Sequence, residues 1–126
     1  MTSFRTIADD LQFPEGPIAM LDGSVILVEI ARGTLTRVRA DGRTEVIATP
    51  GGGPNGAAIG PDGACYICNN GGLKFERDPV IGTVRPVGQA DDYVTGRIER
   101  IDLATGKVER LYDKCGDNKL NGPNDI

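Results

Sequence analysis

Three short phrases place an oxygen-bearing side chain directly after a proline: Pro14-Glu15-Gly16, Pro54-Asn55-Gly56 and Pro123-Asn124-Asp125. Carboxylate and amide oxygens are the ligands a hard divalent cation takes. Proline fixes φ just before the candidate ligand, and the glycine after Glu15 and Asn55 lets neighbouring backbone come close. Singly, each phrase is an ordinary turn or strand lead-in. Together they are more, because each opens an apolar stretch and they recur. If the chain brings them to a common axis, Glu15, Asn55 and Asn124 form part of a metal site.

Other chemistries fall away on composition. The chain has no His, which removes His-based triads and His-ligated metals. Its two serines, Ser3 and Ser24, sit in no G-x-S-x-G elbow. Gly51–Gly56 satisfies G-x-G-x-x-G, but Gly60-Pro61 follows too soon for the helix a dinucleotide needs. Cys65 and Cys68 spell C-x-x-C. Three apart on a strand, their sulfurs diverge to opposite faces, and no second pair completes a zinc site. Cys115 stands alone in a polar stretch as a free thiol. Asp113–Asn124 is acidic and amide-rich, but Cys115 and Lys119 spoil an EF-hand spacing, and it reads as a solvated loop.

The net charge is −4, from 14 basic and 18 acidic residues, so nothing favours nucleic acid. The N-terminal residues have no apolar signal-peptide region, and the strongest apolar run, Val25–Val28, is far short of a membrane span. A soluble, cytoplasmic protein without nucleic-acid or membrane partners is the expectation.

The elements that must position the three phrases are strands. About one residue in five is Gly or Pro, and no stretch sustains a helical period. Asp-Gly pairs at 22–23, 41–42 and 62–63 separate runs of strand composition and predict hairpins. The runs are Pro17–Leu21, Ser24–Ile30, Thr34–Ala40, Thr44–Ala48, Gly56–Gly60, Ala64–Cys68, Gly96–Leu103 and Lys107–Tyr112. Gly96–Arg100 and Gly106–Arg110 read as the outward charged decoration of one hairpin. Aligning Glu15 on Asn55 brings the first Asp-Gly turn onto the third without a gap, at an offset of forty residues. That is close to one four-stranded propeller blade. Asn124 lies sixty-nine residues beyond Asn55, a blade plus a surplus placed in a functional or poorly ordered loop at 70–95. The fold class expected is all-β: an incomplete β-propeller over 1–126, with blade one at about 14–50, blade two at about 54–113, and the start of blade three at 123–126. Two blades cannot close a ring, so the chain reads as the N-terminal part of a longer propeller. Its isolated edges should then associate or fold poorly. Phe4–Ala8 is the candidate outer strand for a final blade.

Four segments resemble the SMP-30/gluconolactonase/luciferin-regenerating-enzyme (regucalcin-like) family: Phe13–Pro17, Asn55–Gly63, Asp91–Arg110 and Leu120–Asp125. The resemblance implies a six-bladed propeller and a divalent-metal-dependent lactone or ester hydrolase. It makes Glu15 a metal ligand and places Asn124 at both metal and substrate, with Asn55 lining the substrate pocket. The cation, Ca, Zn, Mg or Mn, would polarise a carbonyl on a small lactone or sugar-acid-like substrate. Further ligands and the base would lie beyond residue 126, so the catalytic residue is unknown and the 126 residues alone should be inactive. Some members use an arginine two places before the third-blade asparagine to grip substrate; Gly122 stands there. A metal-independent propeller (strictosidine-synthase-like, or a binding scaffold) and an inactive fragment remain as alternatives.

Overall fold

The computed structural model describes all residues, Met1–Ile126. It is all-β: β1 (Pro14–Ala19), β2 (Val25–Glu29), β3 (Thr34–Val38), β4 (Thr44–Ala48), β5 (Pro54–Ile59), β6 (Cys65–Asn69), β7 (Leu73–Arg77), β8 (Val84–Gln89), β9 (Arg97–Ile101), β10 (Val108–Tyr112), β11 (Lys114–Cys115) and β12 (Asn118–Lys119). No helix long and apolar enough to cross a membrane occurs.

Two four-stranded antiparallel sheets dominate. The first runs β1-β2-β3-β4, and the second runs β5-β6-β9-β10. The Asp-Gly hairpins form as the sequence predicts. Asp22 Oδ1 accepts the Ser24 amide at 3.0 Å, Asp41 Oδ1 the Arg43 amide at 3.0 Å, and Asp62 Oδ1 the Ala64 amide at 3.2 Å. Each aspartate thereby closes its own turn. The central strands VILVE and CYICN carry β-branched and apolar residues that suit a sheet covered on both faces.

The core lies between the two sheets: Ile26, Val28, Leu35 and Ala48 from the first, and Cys65, Ile67 and Ile101 from the second. Full burial of each large aliphatic stabilises by roughly 1.5–3 kcal/mol. Cys65 belongs to this core, while Cys68 turns to the other face and meets the carbonyl of Asp125 at 3.1 Å. Both thiols are buried and free, and burial pushes Cys65 up to about 12 and raises Cys68. Cys115 is free and exposed.

Three features differ from the sequence expectations. The 70–95 segment carries a hairpin of its own, β7 with β8, inserted between the second and third strands of sheet two. Its turn has no Asp-Gly; Asp78 Oδ1 instead accepts the amides of Val80 and Ile81 at 2.8 and 3.0 Å. Phe75 of this hairpin packs on Phe13, with ring centroids 5.2 Å apart. Second, Arg97 and Glu99 are not outward decoration. The alternation of β9 turns both inward, where they form a buried ion pair at 2.6 Å. Third, within Asp113–Asn124, Lys114–Cys115 pairs with Asn118–Lys119 in a small exposed hairpin. Phe4–Ala8 pairs with no strand of this chain.

Candidate functional site

β1 and β5, each the first strand of its large sheet, pack against each other. The sequence places Glu15 and Asn55 just ahead of these strands; in the structure both strands begin at the proline, so each residue sits within its strand. Both are also the site of a register irregularity. In β1, pairing with β2 shifts between Glu15 and Ile18, and in β5, pairing with β6 shifts between Pro54 and Gly56. A bulge re-aims a side chain off the regular alternation of a strand. Here two such irregularities coincide with the two candidate residues.

The three proline phrases then stack on one another. A Cβ on Gly16 would lie 2.9 Å from the amide nitrogen of Ala57 and 3.3 Å from the carbonyl oxygen of Asn55. One on Gly56 would lie 2.7 Å from the carbonyl oxygen of Asn124 and from the Cα of Asp125. The glycine after each candidate is thus the place where the next phrase presses in, and no larger residue fits. Gly16 also adopts φ +54°, a conformation L side chains rarely take.

The product is a polar pocket of about 290 Å³ lined by Glu15, Gly16, Pro17, Asn55, Ala57, Asn124 and Asp125. All three sequence candidates meet there. Asn55 Nδ2 donates to Asn124 Oδ1 at 2.8 Å, joining residues sixty-nine apart. Asp125, which the sequence reading did not single out, is the second carboxylate residue of the lining. Its place next to Asn124 in the third phrase is the signal that finds it.

The donors suit a hard cation in kind: carboxylates from Glu15 and Asp125, amide oxygens from Asn55 and Asn124. In number they make one side of a coordination sphere. No group of three or more His, Cys, Asp or Glu side chains gathers anywhere in the chain.

The third phrase is held from outside the pocket. Leu120 oxygen accepts the Gly96 amide at 2.7 Å and the Thr95 hydroxyl at 2.9 Å, and the Tyr93 hydroxyl donates to Asn121 oxygen at 2.8 Å. Gly122, at the place where some members of the resembling family carry arginine, brings no charge.

Comparison with known proteins shows the family and a similar fold. The family model described as SMP-30/Gluconolactonase/LRE-like region matches residues 13–126. A comparison with curated proteins finds no match. Among solved structures, a gluconolactonase from Xanthomonas campestris, described as important in glucose secondary metabolic pathways, is similar in fold. The TM-score is 0.68 at 21% identity, over 95% of this chain and 33% of that one. This chain therefore spans about a third of that protein's length.

Proposed function

The chain belongs to the SMP-30/gluconolactonase/LRE-like family, and on that premise we propose that it forms part of a divalent-metal-dependent lactone or ester hydrolase. In this reading the two large sheets are the first two blades of a six-bladed propeller, with blade one at about 14–50 and blade two at about 54–113. Residues 123–126 open a third blade, and the pocket lies on the propeller axis. The observation that carries the reading is the meeting of Glu15, Asn55 and Asn124 in one polar pocket.

Glu15 and Asn124 would hold the cation, Ca²⁺, Zn²⁺, Mg²⁺ or Mn²⁺. When bound, it supplies the positive charge that polarises a lactone carbonyl and stabilises the oxyanion. Asn55 fixes the orientation of the Asn124 amide through their 2.8 Å bond and lines the substrate side of the pocket. Gly122 leaves no arginine beside the site, so a sugar-acid substrate would find its counter-charge elsewhere. The remaining ligands and the base that activates water would come from further blades, and the 126 residues alone would be inactive.

Calorimetric titration of the full-length protein with each of the four cations tests this. Glu15→Gln keeps the shape and removes the charge, and is expected to weaken binding by about a hundredfold or more, beyond what loss of an outer-shell partner costs. A variant that binds as tightly as the parent would overturn the metal reading and favour a metal-independent propeller.

A further inference from the structure

We propose that Glu29 is a positioning residue for Glu15: its buried carboxylate holds the main chain of Gln12 and so sets where the Pro14–Glu15 phrase enters the pocket. The proposal rests on the reading of Glu15 as a cation ligand.

Glu29 ends β2 and is almost wholly shielded from water. A buried carboxylate needs several donors to be tolerated, and this one has four. Oε1 accepts the amide of Gln12 at 2.7 Å and Arg32 Nε at 2.9 Å. Oε2 accepts the hydroxyls of Thr36 at 2.6 Å and Thr34 at 3.1 Å. Three of these donors fix the carboxylate within its own sheet. The fourth, Gln12, belongs to the chain leading into β1. Arg32 tightens the same grip by donating from Nη2 to Asp10 oxygen at 2.7 Å.

Between Gln12 and Glu15 lies Phe13, whose φ of +57° is the one positive value outside glycine in this chain. A bulky residue there is strained by about 1–3 kcal/mol and persists only when its surroundings over-determine it. They do: Glu29 holds the amide of Gln12 on one side, and the Ile30 amide donates to Phe13 oxygen at 3.0 Å on the other. Past this turn Pro14 has a fixed φ, so the direction in which Glu15 leaves follows from the clamp.

The second sheet repeats the device independently. Asn69 holds the corresponding place on β6, and its Oδ1 accepts the Gly53 amide at 2.9 Å, directly before Pro54–Asn55 and one residue nearer the proline than Gln12 is to Pro14. The Asn70 amide donates to Gly53 oxygen at 2.8 Å, as Ile30 does to Phe13. A buried polar group beneath each pocket residue's lead-in is thus a property of the repeat, reached with a different side chain each time.

The experiment uses the full-length protein, with Ca²⁺, Zn²⁺, Mg²⁺ and Mn²⁺ as titrants and, as a metal-free readout, hydrogen exchange of the Ile30 and Ala31 amides, which donate to the oxygens of Phe13 and Gln12 at 3.0 and 3.3 Å. Glu29→Asp keeps the charge but withdraws the carboxylate from Gln12. It is expected to weaken cation binding about ten- to hundredfold and to speed exchange at both amides. Glu29→Gln restores the reach and should bring binding back to within a few-fold of the parent. Gln12→Pro deletes the one N–H while leaving every buried side chain in place. It should reproduce the aspartate phenotype and decides the matter if Glu29→Asp does not fold. A purely structural role would shift the melting temperature and leave binding and exchange below it untouched; that result in either folded variant overturns the proposal. If the parent binds none of the four cations, the ligand reading of Glu15 fails. Exchange at Ile30 and Ala31 then decides positioning alone: faster in the variants sustains it, unchanged overturns it.

Discussion

In the first sheet the buried carboxylate sits on β2, as Glu29, and the strand beside it answers with Thr34 and Thr36. In the second, β6 carries Asn69 at that place, and the carboxylate has moved one strand outward to Glu99 on β9. Register makes the comparison strict. Thr34 lies opposite Glu29 as Arg97 lies opposite Asn69, and Thr36 opposite Leu27 as Glu99 opposite Ile67. The first sheet keeps its charge with hydroxyls, a backbone amide and a half-exposed arginine. The second keeps it against Arg97 at 2.6 Å, with Asn69 Nδ2 donating to Glu99 Oε2 at 2.9 Å. Arg97 also donates to the oxygens of Pro50 and Gly51 at 3.0 and 3.3 Å. What the repeat preserves is a buried side chain bonded to the incoming main chain, shifted by one residue between the sheets, and the residues that make it are free to trade places.

The comparison breaks hardest where one partner of the buried ion pair is removed. Glu99→Leu strands the Arg97 guanidinium inside the sheet and is expected to cost about 3–5 kcal/mol in urea denaturation of the full-length protein. The double change Arg97→Met with Glu99→Leu should recover most of that loss, since a buried pair replaced whole by apolar groups is often neutral. No recovery would mean that Arg97 matters for holding Pro50 and Gly51 more than for pairing. In the first sheet, where the buried carboxylate's cation is the half-exposed Arg32, Thr36→Val removes one bond to a charged acceptor at nearly constant volume. The expected loss is smaller, about 1.5–3 kcal/mol; a cost equal to that of Glu99→Leu would erase the distinction between the sheets.

The smallest effect is on acid sensitivity. Burial raises the pKa of Glu29, but the hydrogen bonds from Thr36, Gln12 and Thr34 and the charge of Arg32 outweigh it and hold the carboxyl below its ordinary value. A lowered folded-state pKa stabilises fully above the unfolded value and loses that contribution as pH falls through the folded one. The stability difference between the parent and Glu29→Gln should therefore shrink as pH drops below about 4.5. A gap that holds constant to lower pH would show that shape alone, and not charge, makes the first clamp.

Much of this molecule can be read from its residues. The Asp-Gly pairs mark the hairpins because the aspartate closes its own turn and glycine takes the left-handed position; Gly23 is at φ +79°. The forty-residue repeat brings Glu15 and Asn55 together because the same strand order stacks equivalent starts, and the third proline phrase, sixty-nine residues on, brings Asn124 to them. The β7–β8 hairpin escapes because its turn is built by Asp78 and because Pro86, inside β8, argues against a strand; an isolated two-stranded hairpin tolerates it. Arg97 and Glu99 escape for a different reason. A charged residue is outward by default, and only the pairing of β9 with β6 shows that this alternation points it in. Asp125 was hidden by its neighbour, since one phrase yields one candidate when only the aligned position is compared.

The ring contact between Phe13 and Phe75 has a bearing on how the chain reaches this state during synthesis. The strained turn that opens the first sheet is braced by a residue that the ribosome delivers only after that sheet and half of the next have been made. The first sheet can pair its four strands early, from local hairpins, but the ring packing on its leading turn waits for a long-range partner. The turn ahead of Glu15 can be held by Glu29 and Ile30 as soon as the first sheet pairs, and gains its ring contact only once β7 has been made.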